Sequence, residues 1–142
     1  MILPDINLLV YAYNTDAPGH RRAKAWWEAC LSDLDPVGLP WVVILGYLRL
    51  MTSRSVLVDP FSPQEAIGHI RSWLERPQVQ ILQPGPRHLE LLDGLMRGAQ
   101  ASGSLSTDAH LAAVAIEHQA ELHSNDGDFS RFPGLRWTNP LQ

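Results

Sequence analysis

The sequence predicts an α/β domain built on a mainly parallel sheet. Short apolar strand candidates alternate with longer helical stripes, and no linker or repeat divides the chain. A length of 142 residues suits one domain, 1–142. A chain of that size buries roughly two-thirds of its unfolded surface, enough for one core without covalent staples.

In order, Met1 to Leu3 is an apolar stub ended by Pro4 and reads as the tail of a buried strand. Ile6 to Tyr13 is apolar and helix-compatible, and Asn14 to Gly19 is a turn by composition. Between His20 and Leu34, apolar Ala23, Trp26, Trp27, Cys30, Leu31 and Leu34 make a helical stripe. Asp35-Pro36 and Leu39-Pro40 read as breaks ahead of a strongly apolar helix, Trp41 to Met51. Ser62-Pro63 opens a helix to about Arg76, with Pro63 and Glu65 suited to its first turn. Val79 to Leu82 reads as a strand, and Pro86 to Ala101 as an amphipathic helix carrying Leu89, Leu92, Leu95 and Met96. Ser106 or Thr107 would cap a helix running to His118. Glu121 to Ser124 and Leu135 to Trp137 are the remaining strands.

Composition narrows the function. A hydrophobic fraction of 45% with 18% charged residues excludes disorder as the main state. The single cysteine, Cys30, excludes thiolate clusters and an intrachain disulfide, so a reducing cytoplasm is the expected setting. Met1 to Asp5 has no basic segment and puts an acid where a secretory leader would be apolar. The longest apolar run, near Trp41 to Leu45, is far short of the roughly 20 residues that span a bilayer, so no membrane partner is expected. A net charge of −4 argues against binding nucleic acid by bulk electrostatics. Ten of the eleven basic residues are arginine, which suits bidentate phosphate contacts and also fits a plain compositional bias.

In a parallel sheet the chemistry sits at the carboxyl ends of the strands. Three acid-bearing segments fall at that edge: Asp5 after the first strand, Asp108 in the first turn of a late helix, and Asp126 with Asp128 after the strand ending near Ser124. Carboxylates gathered without lysine repel one another unless a cation neutralises them. Oxygen-only ligation selects magnesium or manganese over zinc. Each acid also has a plainer reading: Asp108 as a helix-dipole acid, Asp126-Gly127 as a turn, Asp5 as a cap. Taken together at one edge, they favour a metal site.

These residues resemble a family. Asp5-Ile6-Asn7 is similar to the D-x-N opening of PIN domains, and Thr107-Asp108-Ala109-His110-Leu111-Ala112-Ala113 to their T-D-A-x-L-A-A segment. Ser124-Asn125-Asp126-Gly127-Asp128-Phe129 resembles their [TS]-x-D-x-D-F segment. The likeness runs along essentially the whole chain, and among PIN domains it is greatest to VapC-type toxins, the ribonuclease halves of VapBC toxin–antitoxin modules. It implies a PIN-like three-layer α/β/α sandwich with a mainly parallel sheet of four or five strands. It also implies RNA cleavage dependent on Mg²⁺ or Mn²⁺, an antitoxin held in a groove, and a homodimer. Asp5, Asp108 and Asp126 fall on the family's acidic positions, with Asp128 as a further acid.

One position departs from the pattern. Where the family usually has a glutamate, Val42-Val43-Ile44-Leu45-Gly46-Tyr47-Leu48-Arg49 has Gly46. A helical glycine costs about 1 kcal/mol relative to alanine, so close packing, room for substrate, or room for a carboxylate from elsewhere such as Asp128 is expected there. Losing that acid also weakens the case for a second metal.

The expected mechanism is phosphodiester hydrolysis, with Asp5, Asp108 and Asp126 as catalytic metal ligands. Asn7 would orient Asp5, and Thr107 would orient Asp108 or cap its helix. Arg49 is the candidate RNA-phosphate contact, with an ordinary ion pair as the alternative. His110 and Glu117 share a helix face, but His110 should point away from Asp108, and His123 reads as structural. Trp26 and Trp27 differ by about 100° on one helix, so one of them should face a groove or partner.

Two other classes compete. A PIN-like module that binds RNA or protein without turnover is the first, with Gly46 as its cause. A haloacid-dehalogenase-type phosphatase or receiver domain needs a later lysine, and Lys24 is the only lysine.

Overall fold

The computed structural model describes residues 1–142 throughout. Its strands are β1 (Ile2–Pro4), β2 (Val37–Pro40), β3 (Val79–Leu82), β4 (Glu121–His123) and β5 (Trp137–Thr138). Its helices are α1 (Ile6–Tyr13), α2 (His20–Ser32), α3 (Trp41–Met51), α4 (Pro63–Leu74), α5 (His88–Gly98) and α6 (Leu105–Glu117). The strands form one five-stranded sheet in the order β3-β2-β1-β4-β5, with every pair parallel.

Parallel crossovers are almost always right-handed. From β1 the chain steps outward to β2 and β3 through α1 to α4, then returns past β1 to β4 through α5 and α6. Opposite directions of travel put these two helix groups on opposite faces of the sheet. The packing agrees: α1 lies against α2 and α3, α3 against α4, and α5 against α6. Strand order therefore reverses between β1 and β4, whose carboxyl ends frame the crevice where such sheets hold ligands.

Burial explains the elements. Leu3, Val37, Leu39 and Leu122 fill the middle of the sheet, while Trp27, Tyr47 and Trp73 pack the α1–α4 layer. Ala109, Ala112 and Ala113 give α6 a smooth buried face. Ser62 and Glu65 form a reciprocal capping box at the start of α4, with Pro63 inside it.

Several sequence expectations are corrected. Leu39-Pro40, read as a break, instead closes the second strand, Val37–Pro40. Its Gly38 is required because a Cβ there would approach Leu82 Cγ at 2.7 Å. Pro40 stands at the strand's end, where its missing N–H costs least. The second helix stops at Ser32, whose hydroxyl donates back to the Glu28 carbonyl, and leaves Leu34 exposed. The fifth helix is shorter than Pro86 to Ala101, and the last strand is shifted to Trp137–Thr138. α6 begins at Leu105, so Ser106 and Thr107 lie inside its first turn and neither caps it. Ser106 instead donates to the Gly103 carbonyl.

Candidate active site

Asp5 follows β1 directly and is the N-cap of α1, where its Oδ1 accepts the Ile6 amide at 2.7 Å. Its Oδ2 accepts the Ser124 hydroxyl at 2.7 Å, across the switch between β1 and β4. The Asp5 amide in turn donates to the His123 carbonyl, so the carboxylate is held from both strands. Burial raises its pKa, against the lowering effect of those hydrogen bonds, and Asp126 adds repulsion.

Ser124 is the hub of the site, and sequence reasoning gave it no role. It is the one polar residue that is fully buried. Its Oγ donates to Asp5 and accepts from Asn7 Nδ2 at 3.3 Å and from the Asp126 amide at 3.0 Å. A hydroxyl has one donor and two acceptor sites, so this oxygen is saturated. Its only sequence signal was the small hydroxyl opening the [TS]-x-D-x-D-F segment. Asn7 therefore reaches Asp5 through Ser124 rather than directly, and its Oδ1 faces the Asn125 amide at 3.5 Å.

Asp126 is the N-cap of a 3-10 turn, Gly127–Arg131, and accepts the Asp128 amide at 2.9 Å. The buried Phe129 pins that turn to the core, and Asp128 stays exposed. Asp108 comes to the same edge because α6 runs antiparallel to the strand it feeds. Its carboxylate takes no hydrogen bond from the chain. Its pKa is raised to about 6, first by burial and then by repulsion from Asp5, Asp126 and Asp128. No basic side chain offsets that repulsion.

The other expected residues divide. Thr107 is exposed and makes no hydrogen bond to Asp108. Arg49 lies exposed in the last turn of α3, in no ion pair and in no hydrogen bond to the carboxylates. Gly46 packs against Ile6: a Cβ there would meet Ile6 Cδ1 and lie 3.0 Å from its Cγ1. Ile6, beside Asp5, thus occupies the space toward which a side chain at 46 would point.

All six histidines are engaged elsewhere. His88 and His110 bond each other at 2.8 Å, His20 and His118 meet the Tyr11 and Gln83 carbonyls, and His69 meets Tyr47. His123 takes the Trp26 indole N–H at 3.1 Å, so half-buried Trp26 is anchored there while Trp27 enters the core. Glu117 caps the Gly85 and Arg87 amides.

A hard divalent cation fits this edge by donor chemistry: every candidate donor is oxygen, Asp108 is free of hydrogen bonds, and the mutual repulsion lacks a countercharge. The side chains do not close into a ready-made cage of three or more ligands. Four carboxylates without a counterion are expected to stand apart.

A family model described as PIN domain matches residues 2–135. The chain is 46% identical over 142 residues to Ribonuclease VapC33 of Mycobacterium tuberculosis, covering 100% of this chain and 99% of that protein. Among solved structures, VapBC2 from Rickettsia felis bound to a DNA fragment from its promoter superposes with a TM-score of 0.69 at 19% identity, covering 98% of each chain. VapC20 of Mycobacterium tuberculosis, described as a sarcin–ricin-loop-cleaving toxin, gives 0.68 at 21% identity, covering 96% of this chain and 99% of that one.

Proposed function

The chain belongs to the PIN-domain family, alongside the VapC ribonucleases, and from that premise we propose that it is a Mg²⁺- or Mn²⁺-dependent ribonuclease acting as the toxin of a type II toxin–antitoxin module. The observation that carries this reading is the group of four carboxylates at the β1/β4 switch, with Asp108 raised to about 6 and no cation of the chain beside it.

Asp5, Asp108 and Asp126 would hold the cation, with Asp128 at their margin. When bound, such an ion lowers the pKa of coordinated water and polarises the scissile phosphate. The chain's own residues supply order. Ser124 and the Ile6 amide fix both oxygens of Asp5, and Asn7 steadies Ser124. Asp108 keeps both oxygens free for ligation, and the Asp128 amide sets Asp126. With Ile6 packed where an acid at position 46 would reach, the donor set suits one cation better than two. Arg49, exposed and unpaired, is the proposed RNA-phosphate contact.

The proposed partners are structured RNA, a cognate antitoxin and a second copy of the chain, in the cytoplasm. Exposed Trp41 and Leu45, four apart on α3, support a protein partner. No helix is long and apolar enough to cross a membrane.

The test is cleavage of a mixed pool of structured RNAs with Mg²⁺ or Mn²⁺ against chelator, beside Asp108→Asn. Cation-dependent cutting that the variant lacks is the expected result. RNA retained by the wild-type chain but left uncut would overturn the nuclease reading in favour of a binding module.

A further inference from the structure

Beside the carboxylates lies a cleft of about 410 Å³ lined by Tyr11, Pro18, Gly19, Arg22, Asn125 and Leu141. That volume is in the range of small-molecule sites. Two features join it to the catalytic edge. Asn125 sits between Ser124 and Asp126, and its amide faces Asn7. Tyr11 stands four residues after Asn7, so the two share one face of α1, about one 5.4 Å turn apart. A polymer crossing Asp5 and Asn7 therefore reaches the cleft next.

The lining is that of a nucleotide seat. Tyr11 is half-buried and offers an aromatic face, which any base can stack on. Its backbone is fixed by His20, whose Nδ1 lies 2.8 Å from the Tyr11 carbonyl. Asn125 keeps its Oδ1 on Asn139 Nδ2 at 3.1 Å, leaving its own amide N–H groups to face a ligand. Arg22 is exposed, in no ion pair, and steadied by one bond from Nη1 to the Leu141 carbonyl at 2.9 Å. Its other N–H donors are free.

Charge points the same way. The chain is acidic as a whole, with a net charge of −4, yet Arg21, Arg22 and Lys24 gather within four positions at the start of α2. Glu28 meets only Lys24, at 3.9 Å. An anionic polymer brought to an acidic edge needs positive charge beside it, and of these three Arg22 lines the cleft while Lys24 lines the neighbouring pocket with Tyr13 and Trp27.

We propose that this cleft seats a nucleotide of single-stranded RNA flanking the scissile phosphate: its base stacks on Tyr11, its polar edge meets Asn125, and its phosphate is held by Arg22. The proposal rests on the ribonuclease reading above and adds where the strand runs and which residues select it.

The test is fluorescence anisotropy of a labelled, short, random-sequence single-stranded RNA with the full chain in chelator, over a range of salt, beside cleavage with Mn²⁺. Arg22→Gln should weaken binding about tenfold and flatten the slope of log affinity against log salt by about 0.7, the signature of one lost phosphate contact. Tyr11→Leu should weaken binding about tenfold with the slope unchanged, and Tyr11→Phe should bind like the wild type. Thermal unfolding of each variant separates loss of a contact from loss of fold, and exposed Arg22 keeps the test informative if Tyr11→Leu unfolds. Wild-type affinity and slope in both Arg22→Gln and Tyr11→Leu, with cutting by the wild type intact and absent in Asp108→Asn, would overturn the cleft proposal alone. RNA neither bound nor cut by the wild type would overturn both readings.

Discussion

At the start of α1, Asp5, Asp126 and Asp128 lie near enough to Asp108 to raise it by repulsion, without closing into a cage and with no basic group offsetting them. At its far end, eight residues on, Tyr13 sits in an aromatic cluster with Tyr47, His69 and Trp73, packed against Trp27, and of its polar atoms the Trp27 indole N–H is left without a partner. There Trp73 Nε1 donates to the Tyr13 hydroxyl at 2.8 Å, and the Tyr47 hydroxyl bonds His69 Nδ1 at 2.7 Å. Tyr13 stacks on His69 with ring centroids 4.5 Å apart, and Tyr47 meets Trp73 edge-on at 4.8 Å. One helix thus joins an end where polar groups largely satisfy each other to an end where carboxylates repel one another without a countercharge. The first arrangement serves stability, and the second gives up stability, as the proposed cation site requires.

The largest expected effect falls at the unsatisfied end. Asp108→Asn should lower RNA cleavage by about 10²–10⁴-fold, the range for a group acting at the reacting centre. The same change should raise the melting temperature in chelator, because it removes a repelled charge. A variant that lost activity and also melted lower would break the comparison, since Asp108 would then be structural.

Ser124→Ala comes next. It strips Asp5, Asn7 and Asp126 of a shared partner in a fully buried place, so cleavage should fall about 10–100-fold, as for other groups that orient ligands. Stability should fall by about 1–3 kcal/mol, from the polar groups left unpaired. Losing both together would mark Ser124 as the joint between the two regimes.

How far the sequence reveals this contrast depends on the range of the interactions. Ile6 to Tyr13 and Trp41 to Met51 were legible because their apolar residues make them helical before any partner is known. Asp5, Asp108 and Asp126 were legible as acids at strand and helix ends that a parallel sheet gathers at one edge. The strand Val37–Pro40 was hidden, because Asp35-Pro36 and Leu39-Pro40 read locally as breaks while the room at Gly38 is set by a side chain of β3. Ser124 was hidden for the same reason: its partner Asp5 is 119 residues away. Ser106 or Thr107 was placed as a cap from its type alone, and the helix begins two or three residues earlier than those choices require.

At the paired end the effects are smaller and fall on stability. Tyr47→Phe removes the bond to His69 and should cost about 0.5–1.5 kcal/mol in chemical denaturation with cleavage unchanged. An activity loss would show the two ends to be coupled through α1.

The two ends should also answer pH in opposite directions. Asp108 is raised from 3.8 to about 6 on folding, so the folded chain binds the extra proton between those values. Stability from that end is full below pH 3.8 and is lost as pH rises through about 6. His69 is lowered from 6.5, mainly by burial and against the pull of Glu65, so the unfolded chain binds the extra proton. Stability from that end is full above pH 6.5 and is lost as pH falls through the lowered value. In chelator, the gap in melting temperature between Asp108→Asn and wild type should therefore widen from pH 4 to pH 7, a smaller shift than any above.

The most direct measurement is the melting temperature of the wild-type chain and of an Asp5→Asn, Asp108→Asn double variant, each in chelator and in excess Mn²⁺. If the carboxylate edge is a cation site, the wild type melts higher with Mn²⁺ by mass action. The double variant should then melt above the wild type in chelator and gain nothing from the ion. A wild type indifferent to Mn²⁺, with a double variant that melts lower, would contradict the account and make these acids part of the scaffold.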